Sequence, residues 1–311
     1  MRKVLATLAA LAVALVVFAV PAGAITNGTL DNGAHPYVGE LFFYVPDEID
    51  PRFTDPGAWF SCSGTLVSPT VVLTAGHCTF GTGLNGTPTT QAGGGGGTDV
   101  WVNFDGAPDF SGLPPSSAYI PDKNAQRYTD RVAWLNSQPA WHRGTAHPHP
   151  QFDPVAFFLH DAGVVVFDQP VSMSQYGRVT SQGSLDRFAA KGGKNSALFD
   201  TVGYGLTLSR PKIELGGDVR LRATPKLIDL KGMFGLPVGT AAKFSNDNGN
   251  AHQGGTCSGD SGGPFLYGGT NEVVAVNSFG INGNCTGTDG AYRIDQADDL
   301  AFLAGFGITP S

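Results

Sequence analysis

Short apolar runs separated by turn-forming residues recur along this chain of 311 residues. Clusters of Gly, Pro, Asn and Ser separate the runs, and glycine alone contributes 44 residues. Runs of this length suit strands, because a helix needs a longer periodic stretch and tolerates glycine poorly. The pattern therefore predicts an all-β fold, with strands at 38–45, 63–67, 100–104, 164–167, 197–203, 273–279 and 290–294.

The last stretch of the chain is the exception to this pattern. Ala297, Leu300, Ala301 and Leu303 follow the spacing of one helix face, and an acidic residue opens the stretch 295–303. We expect this C-terminal helix to be the only helix of the protein.

The segment 81–121 interrupts the series of runs. It contains a glycine tract at 93–97 and the pair Pro114-Pro115. Long segments of this composition are usually surface loops. We favour a flexible surface insertion over the alternative, a loop that shapes a binding cleft.

The first 24 residues have the pattern of a secretory signal peptide. Arg2 and Lys3 form a basic start, an apolar stretch follows at 5–20, and Ala-Gly-Ala at 22–24 is a cleavage site. The apolar stretch is short for a membrane-spanning helix and ends at this small-residue site. We therefore expect cleavage after Ala24, secretion, and no membrane anchor in the mature protein.

The charge balance bears on the choice of partners. The chain has 26 acidic and 19 basic residues, a formal net charge of −7. An acidic protein is repelled by the phosphate backbone of nucleic acids, so we expect no nucleic-acid binding.

Four cysteines stand at positions 62, 78, 257 and 285. In an exported chain they should form two disulfides, and three pairings are possible. No two of them have the C-x-x-C spacing of a zinc site, so we expect no metal.

Glycines crowd around Ser261, in the sequence Gly-Asp-Ser-Gly-Gly-Pro at 259–264. Glycine permits a positive φ and lets another molecule approach the backbone closely. A serine on such a turn can present its hydroxyl beside backbone N–H donors. An acyl-transfer nucleophile needs this arrangement, because the donors must meet the oxyanion that develops on the attacked carbonyl.

A serine hydroxyl is a weak nucleophile unless a base stands beside it. His77 follows the apolar run 71–73, and Asp161 opens the apolar run 161–167. An acid at the start of an apolar strand is costly to bury without a partner, and an imidazole would be one. His160, the neighbouring titratable residue, cannot supply a negative charge. We select His77 as the base and Asp161 as its partner.

Three segments resemble the signatures of the trypsin/chymotrypsin-like serine peptidase family, in that family's order. They are Thr-Ala-Gly-His-Cys at 74–78, His-Asp-Ala-Gly-Val-Val at 160–165 and Gly-Asp-Ser-Gly-Gly-Pro at 259–264. The resemblance covers nearly everything after the signal peptide. It implies two six-stranded antiparallel β-barrels, with the active site between them and a helix at the C-terminus.

The resemblance also implies a domain division and an activity. We expect the first barrel at 25–180 with His77 and Asp161, and the second at 181–311 with Ser261. The implied activity is that of a secreted serine endopeptidase, which needs no cofactor and hydrolyses peptide bonds through an acyl-enzyme. Ser261 would be the nucleophile, His77 the general base and Asp161 the residue that orients it. We expect a monomer that acts on proteins or peptides.

Further roles follow from the same resemblance. The backbone N–H groups of Gly259 and Ser261 would form the oxyanion hole. Cleavage after residue 24 would free the ammonium of Ile25, which would insert into the second barrel and pair with Asp260. Thr26 and the residue after it depart from the family's usual second and third residues. The implied disulfides are Cys62–Cys78 and Cys257–Cys285.

The primary specificity pocket is also implied by the resemblance. Trypsin-like members carry an aspartate at the position of Gly255, where it pairs with a basic substrate residue. Because Gly255 is uncharged, we expect a preference for large apolar or aromatic side chains. Asp289 is the alternative, since it stands beside the pocket wall and would restore a basic preference. The implied pocket residues are Gly255, Thr256, Ser278, Phe279, Gly280 and Gly290.

Two other functions compete with the peptidase hypothesis. A catalytically silent relative would use the same cleft as a protein-binding module, but such a relative usually loses a member of the triad, and this chain retains all three. An esterase or lipase would also contain Gly-x-Ser-x-Gly, but with the order Ser, Asp, His and with many helices. The order His77, Asp161, Ser261 argues against that class.

Overall fold

The computed structural model describes residues 25–46, 58–86, 95–114, 121–189, 197–210, 213–231, 239–247 and 253–311. The predicted signal peptide, residues 1–24, and the start of the glycine tract at 93–97 lie outside these residues. None of the described helices is long and apolar enough to span a bilayer.

Most of the regular structure is antiparallel β-sheet, which confirms the predicted all-β class. The described residues also form two α-helices, α1 (Pro121–Ser137) and α2 (Ala297–Ala304), and short 3-10 helices at Gly76–Cys78 and Asp186–Phe188. The strands are β1 (Thr29–Leu30), β2 (Val38–Val45), β3 (Ala58–Ser68), β4 (Val71–Thr74), β5 (Val100–Asn103), β6 (Trp141–Pro148), β7 (Gly163–Phe167), β8 (Arg178–Val179), β9 (Phe199–Gly203), β10 (Leu206–Arg210), β11 (Ile213–Gly216), β12 (Leu221–Ala223), β13 (Leu227–Asp229), β14 (Ala241–Asn246), β15 (Pro264–Tyr267), β16 (Glu272–Gly280) and β17 (Gly287–Arg293).

Strands β2 to β7 close into a six-stranded barrel in the order β2-β3-β4-β7-β6-β5. Branched and aliphatic side chains from every side fill its interior, among them the fully buried Leu41, Leu66, Leu73, Val102 and Val164. Each such side chain contributes roughly 1.5–3 kcal/mol when it is removed from water. The apolar runs read from the sequence at 38–45, 63–67, 100–104 and 164–167 therefore contribute to the inner surface of this barrel.

Nine of the remaining strands form a second sheet in the order β1-β12-β9-β15-β16-β17-β14-β13, with β8 added beside β16, and β10 pairs with β11 in a separate two-stranded sheet. The two strands β12 and β13 are consecutive in the chain and only three residues apart, so the sheet also closes on itself through the chain. A bridge between Leu198 and Lys226 crosses this junction. Counted as one bent strand, β12 and β13 make a second six-stranded barrel with β9, β14, β15, β16 and β17. The second barrel therefore agrees with the fold that the family resemblance implied.

The segment 81–121 is not wholly a surface insertion, contrary to our interpretation of the sequence. β5 lies within it and pairs with β2 on one side and β6 on the other. Trp101 of this strand is fully buried. This segment closes the first barrel, because the apolar run at 100–104 forms a strand despite the glycine and proline residues on either side of it.

Helix α1 contradicts the expectation of a single helix. It starts at Pro121, a favourable first residue because proline already has a helical φ. Most of its sequence is polar, so no apolar stripe marks it. Leu135 is its fully buried anchor and packs with Trp101 and Trp141 on the outside of the first barrel, where the Trp101 indole also donates to Asn136 Oδ1 over 3.0 Å. Tertiary packing, not periodicity, stabilises this helix.

Candidate active site

His77 and Asp161 come together because two neighbouring strands leave the first barrel at the same edge. β4 pairs with β7, and Thr74 stands opposite Gly163 in this pairing. His77 follows β4 on the 3-10 turn, and Asp161 stands just before β7. The strand register therefore brings the two predicted residues side by side.

The carboxylate of Asp161 is fully buried and receives three hydrogen-bond donors. The His77 backbone N–H donates to Oδ1 over 2.8 Å, and His77 Nδ1 lies 2.9 Å from Oδ2. Ser278 Oγ, from β16 of the second barrel, donates to the same Oδ2 over 2.5 Å. An ionised carboxylate without water must be satisfied in this way. Since Nδ1 faces the carboxylate, Nε2 is the imidazole atom left to accept a proton.

Ser278 has a contact that the sequence analysis missed. We assigned it only to the specificity pocket, whereas its hydroxyl bonds to Asp161. The signal was weak: Asn277 and Ser278 are polar residues within an otherwise apolar strand, and both are buried. A buried polar pair in such a strand needs partners, but the sequence does not identify them.

The loop that carries Ser261 is held against the first barrel. The Ser63 N–H of β3 donates to the Ser261 carbonyl over 2.7 Å, and Ser63 Oγ donates to the Gly259 carbonyl over 3.0 Å. Gly259 has φ +95° and Gly262 has φ +77°. A Cβ on Gly262 would stand 2.0 Å from Thr74 Oγ1. The glycines around Ser261 are therefore required by backbone conformation and by close approach to β4.

A cavity of about 260 Å³ adjoins Ser261. Of the six predicted pocket residues, Gly255 and Gly290 do not line it. A Cβ on Gly255 would meet Asp289 Oδ2 at 2.2 Å, and one on Gly290 would meet the Phe279 ring at 2.1 Å. Other side chains thus cover both glycines. The lining residues are Thr256, Cys257, Ser258, Ser261, Asn277, Ser278, Phe279, Gly280, Asn282, Gly283 and Cys285.

Asp289 lies buried beside Gly255, outside the set of residues that line the cavity. Its Oδ2 accepts from the Thr256 N–H over 2.6 Å, and its Oδ1 accepts from Asn246 Nδ2 over 2.9 Å. Burial raises the pKa of Asp289 to about 7, against the opposing effect of these donors. The carboxyl group therefore changes its charge near neutral pH.

Asp260 is a second buried acid, next to Ser261 in the chain. It accepts from the Gly205 N–H over 2.9 Å and from the Cys257 N–H over 2.9 Å. Burial raises the pKa of Asp260 to about 7, and a hydrogen bond from the Ile25 backbone is among the effects that oppose the rise. Ile25 is fully buried, and Thr26 N–H donates to the Gly255 carbonyl over 2.9 Å. The start of the described chain thus lies against the loop that carries Ser261.

Disulfides are present, as predicted for an exported chain, and all four cysteines take part. Cys62 pairs with Cys78, and Cys257 pairs with Cys285. The first disulfide excludes a metal at His77: Cys62 and Cys78 are close enough to serve as co-ligands, but their sulfurs are bonded to each other. The second forms part of the cavity wall.

The sequence model of the family named Trypsin matches residues 126–299, more than half of the chain, and the chain belongs to this family. Its fold is similar to that of HL collagenase, solved at 1.7 Å resolution, with 17% identity and a TM-score of 0.59. The match covers 93% of this chain and 98% of the collagenase chain. No curated protein sequence matches the chain.

The burial of Asp289 predicts a pH-dependent stability. Its pKa in the folded state is about 7, above the unfolded value of 3.8, so the folded protein binds more protons between these values. The contribution of Asp289 to the free energy of unfolding therefore falls as the pH rises from about 4 to about 7. Asp289→Asn resembles the protonated acid and should lose less stability over this range, as measured by urea unfolding at several pH values.

Asp168→Asn is the matched control, because Asp168 is exposed on the first barrel. The control should follow the wild type at every pH. If Asp289→Asn shows the same pH dependence as the wild type, the Asp289 carboxyl does not titrate as a buried group.

Proposed function

We propose that the protein is a secreted serine endopeptidase that hydrolyses peptide bonds through an acyl-enzyme on Ser261. The observation that carries the proposal is that His77 and Ser278 both form hydrogen bonds to Asp161. Ser278 also lines the same cavity as Ser261. Membership of the trypsin family supports the reaction class. Secretion is supported by the signal-peptide pattern at 1–24 and by the two disulfides, which persist in oxidising compartments.

In the proposed reaction Ser261 Oγ attacks the carbonyl carbon of the peptide bond while His77 Nε2 takes its proton. Asp161 keeps the ring oriented through Nδ1 and stabilises the imidazolium that forms. His77 then gives the proton to the leaving amine. A water molecule, deprotonated by His77, then attacks the acyl carbonyl. His77 returns the proton to Ser261 Oγ, and the carboxylic acid product leaves.

The oxyanion would be bound by the N–H groups of Gly259 and Ser261. Neither group donates a hydrogen bond to the protein within the part of the chain that the structure describes. The positive φ of Gly259 is a conformation that a residue with a Cβ rarely adopts. Two preorganised donors of this kind stabilise negative charge on an attacked carbonyl oxygen.

A catalytically silent relative is the competing proposal, and it predicts the same fold. The two are separated by the reactivity of Ser261. A serine-directed fluorophosphonate should label the wild type at Ser261 with one probe per chain, because the neighbouring base makes this hydroxyl nucleophilic. Mass spectrometry of peptides would locate the probe, and Ser261→Ala should remain unlabelled.

Ser258→Ala is the control for this labelling, since Ser258 lines the same cavity. It should retain the label. A folded wild type that begins at Ile25 and stays unlabelled at neutral pH would favour the protein-binding module.

The Ile25 ammonium would complete the site after cleavage. In the intact chain, buried Asp260 has backbone donors but no basic side chain paired with it among the described residues. A peptide nitrogen at Ile25 already lies in its hydrogen-bond shell. Cleavage after residue 24 would convert this nitrogen to an ammonium, which would lower the pKa of Asp260 and form a buried ion pair.

Active secreted protein should therefore begin at Ile25, as N-terminal sequencing would show. Removing one partner from a buried ion pair costs roughly 3–5 kcal/mol. Asp260→Asn, or one extra residue before Ile25, should thus reduce activity far more than it reduces the amount of secreted protein. Activity in a chain that starts well beyond Ile25 would contradict this role.

The substrate pocket is proposed to accept large apolar or aromatic side chains. None of the described residues that line the cavity is charged, and its wall includes Phe279 and the second disulfide. Both oxygens of Asp289 are occupied by Thr256 and Asn246. A substrate Arg or Lys would lose its hydration without gaining a counter-charge at the cavity surface.

Peptides with Phe, Tyr or Leu before the cut should therefore have a higher kcat/KM than peptides with Arg, in the wild type and in Asp289→Asn alike. The comparison should be made below and above pH 7, because Asp289 gains its charge in this range. Cleavage after Arg by the wild type, lost in Asp289→Asn, would make Asp289 the specificity residue and refute our assignment.

A further inference from the structure

A group of titratable side chains lies next to the catalytic candidate Asp161 and has no part in the reaction described above. His160 precedes Asp161 in the chain, and its Nδ1 lies 3.1 Å from Asp298 Oδ2 in the first turn of α2, a close polar contact without the geometry of a hydrogen bond. The His160 ring stacks on His149, with 5.0 Å between centroids and 12° between planes. The group connects the C-terminal helix to the segment that carries Asp161.

The backbone of this segment is unusual. His160 has φ +49°, a left-handed conformation that costs a residue with a Cβ about 1 kcal/mol or more. The Ala162 N–H donates to the His160 carbonyl over 2.8 Å, so Asp161 stands at the centre of a three-residue turn. The direction of the Asp161 side chain therefore depends on the conformation of His160.

Strain of this kind persists only where the surroundings hold it. Asp298 contacts the edge of the His160 ring, and His149 covers its face. The helix that carries Asp298 is itself fixed, because the Tyr292 hydroxyl donates to buried Asp299 over 3.0 Å. The His160 side chain thus contacts a helix that is hydrogen-bonded to strand β17 of the second barrel.

The same side chains raise the question of a metal, since donor atoms of His149, His160 and Asp298 lie within 4.8 Å of one another. The Gln151 N–H donates to His149 Nδ1 over 3.1 Å, which assigns the ring proton of neutral His149 to Nε2. That tautomer has no lone pair left for a metal. The His149 and His160 rings are also nearly parallel, so their in-plane lone pairs do not converge on one point where a metal could bind. These observations favour a direct contact between His160 and Asp298 over a metal site.

We propose that His160 is a positioning residue for Asp161: its pairing with Asp298 holds the left-handed turn that directs Asp161 toward His77. This inference rests on the proposed function, in which Asp161 orients the base. It adds a role for the C-terminal helix, which would act on the reaction without contacting the substrate.

Asp298→Asn tests the proposal, because it removes the charge of a half-exposed side chain. Displacements of about 1 Å in a catalytic group can cost up to a hundredfold in rate, so we expect kcat to fall roughly tenfold while KM changes little. His160→Ala should lower kcat further, and His160→Asn should recover part of it, since asparagine tolerates the left-handed region. The double variant of His160→Asn with Asp298→Asn should be no worse than the more impaired single variant.

Asp168→Asn, with the same change of charge on the first barrel, should leave kcat unchanged. All kcat values are expressed per folded chain, so a loss of stability alone does not move them. A kcat within twofold of the wild type in Asp298→Asn, or additive effects in the double variant, would overturn the proposal.

A spectroscopic measurement separates this inference from the proposed function. A proton held between His77 Nδ1 and Asp161 Oδ2, which lie 2.9 Å apart, should give a low-field NMR signal whether or not the protein hydrolyses peptides. The proposal expects this signal to shift or broaden in Asp298→Asn and to stay unchanged in Asp168→Asn. An unchanged signal in Asp298→Asn would overturn the positioning role, whereas an inactive wild type with the shift would overturn only the peptidase.

Discussion

The buried charge of Asp161 is the constraint on which the arrangement of the two barrels depends. A carboxylate with no exposure to water is tolerated only where donors surround it. His77 supplies two of them from the first barrel, and Ser278 supplies the third from the second barrel. A displacement of one barrel against the other would remove the Ser278 donor from this buried charge, so the relative position of the barrels and the geometry of the site are maintained together.

Other hydrogen bonds between the barrels serve the same end. Ser63 of the first barrel donates to the Ser261 carbonyl, and the Tyr204 hydroxyl donates to the Val38 carbonyl over 3.1 Å. Buried Arg220 donates to the same carbonyl over 2.9 Å while it pairs with Asp31. These contacts use a backbone N–H, a buried tyrosine hydroxyl and a rigid guanidinium as donors, and they are more directional than apolar contacts. The proposed nucleophile and base come from different barrels and depend on this rigidity.

Local chemistry explains how much of this molecule the sequence could predict. Seven of the strands, helix α2 and the surroundings of His77, Asp161 and Ser261 were recognisable because apolar runs and glycine-rich turns are local patterns, whereas strands such as β6 and β14 were not predicted. Helix α1 was missed because a distant tryptophan cluster around Leu135 stabilises a mostly polar segment. The bond from Ser278 to Asp161 and the burial of Asp289 were not predictable either, since both depend on which strands become neighbours across the fold.

The central claim, that the buried charge of Asp161 organises the reactivity of Ser261, is tested most directly by the rate of acylation. Wild type and Asp161→Asn would be mixed with an activated ester in a stopped-flow instrument, and the burst of released alcohol would be followed. The account predicts one acyl group per chain in the wild type. In folded Asp161→Asn it predicts acylation about four orders of magnitude slower, the loss typical of a triad aspartate. Equal rates of acylation in the two proteins would contradict the account.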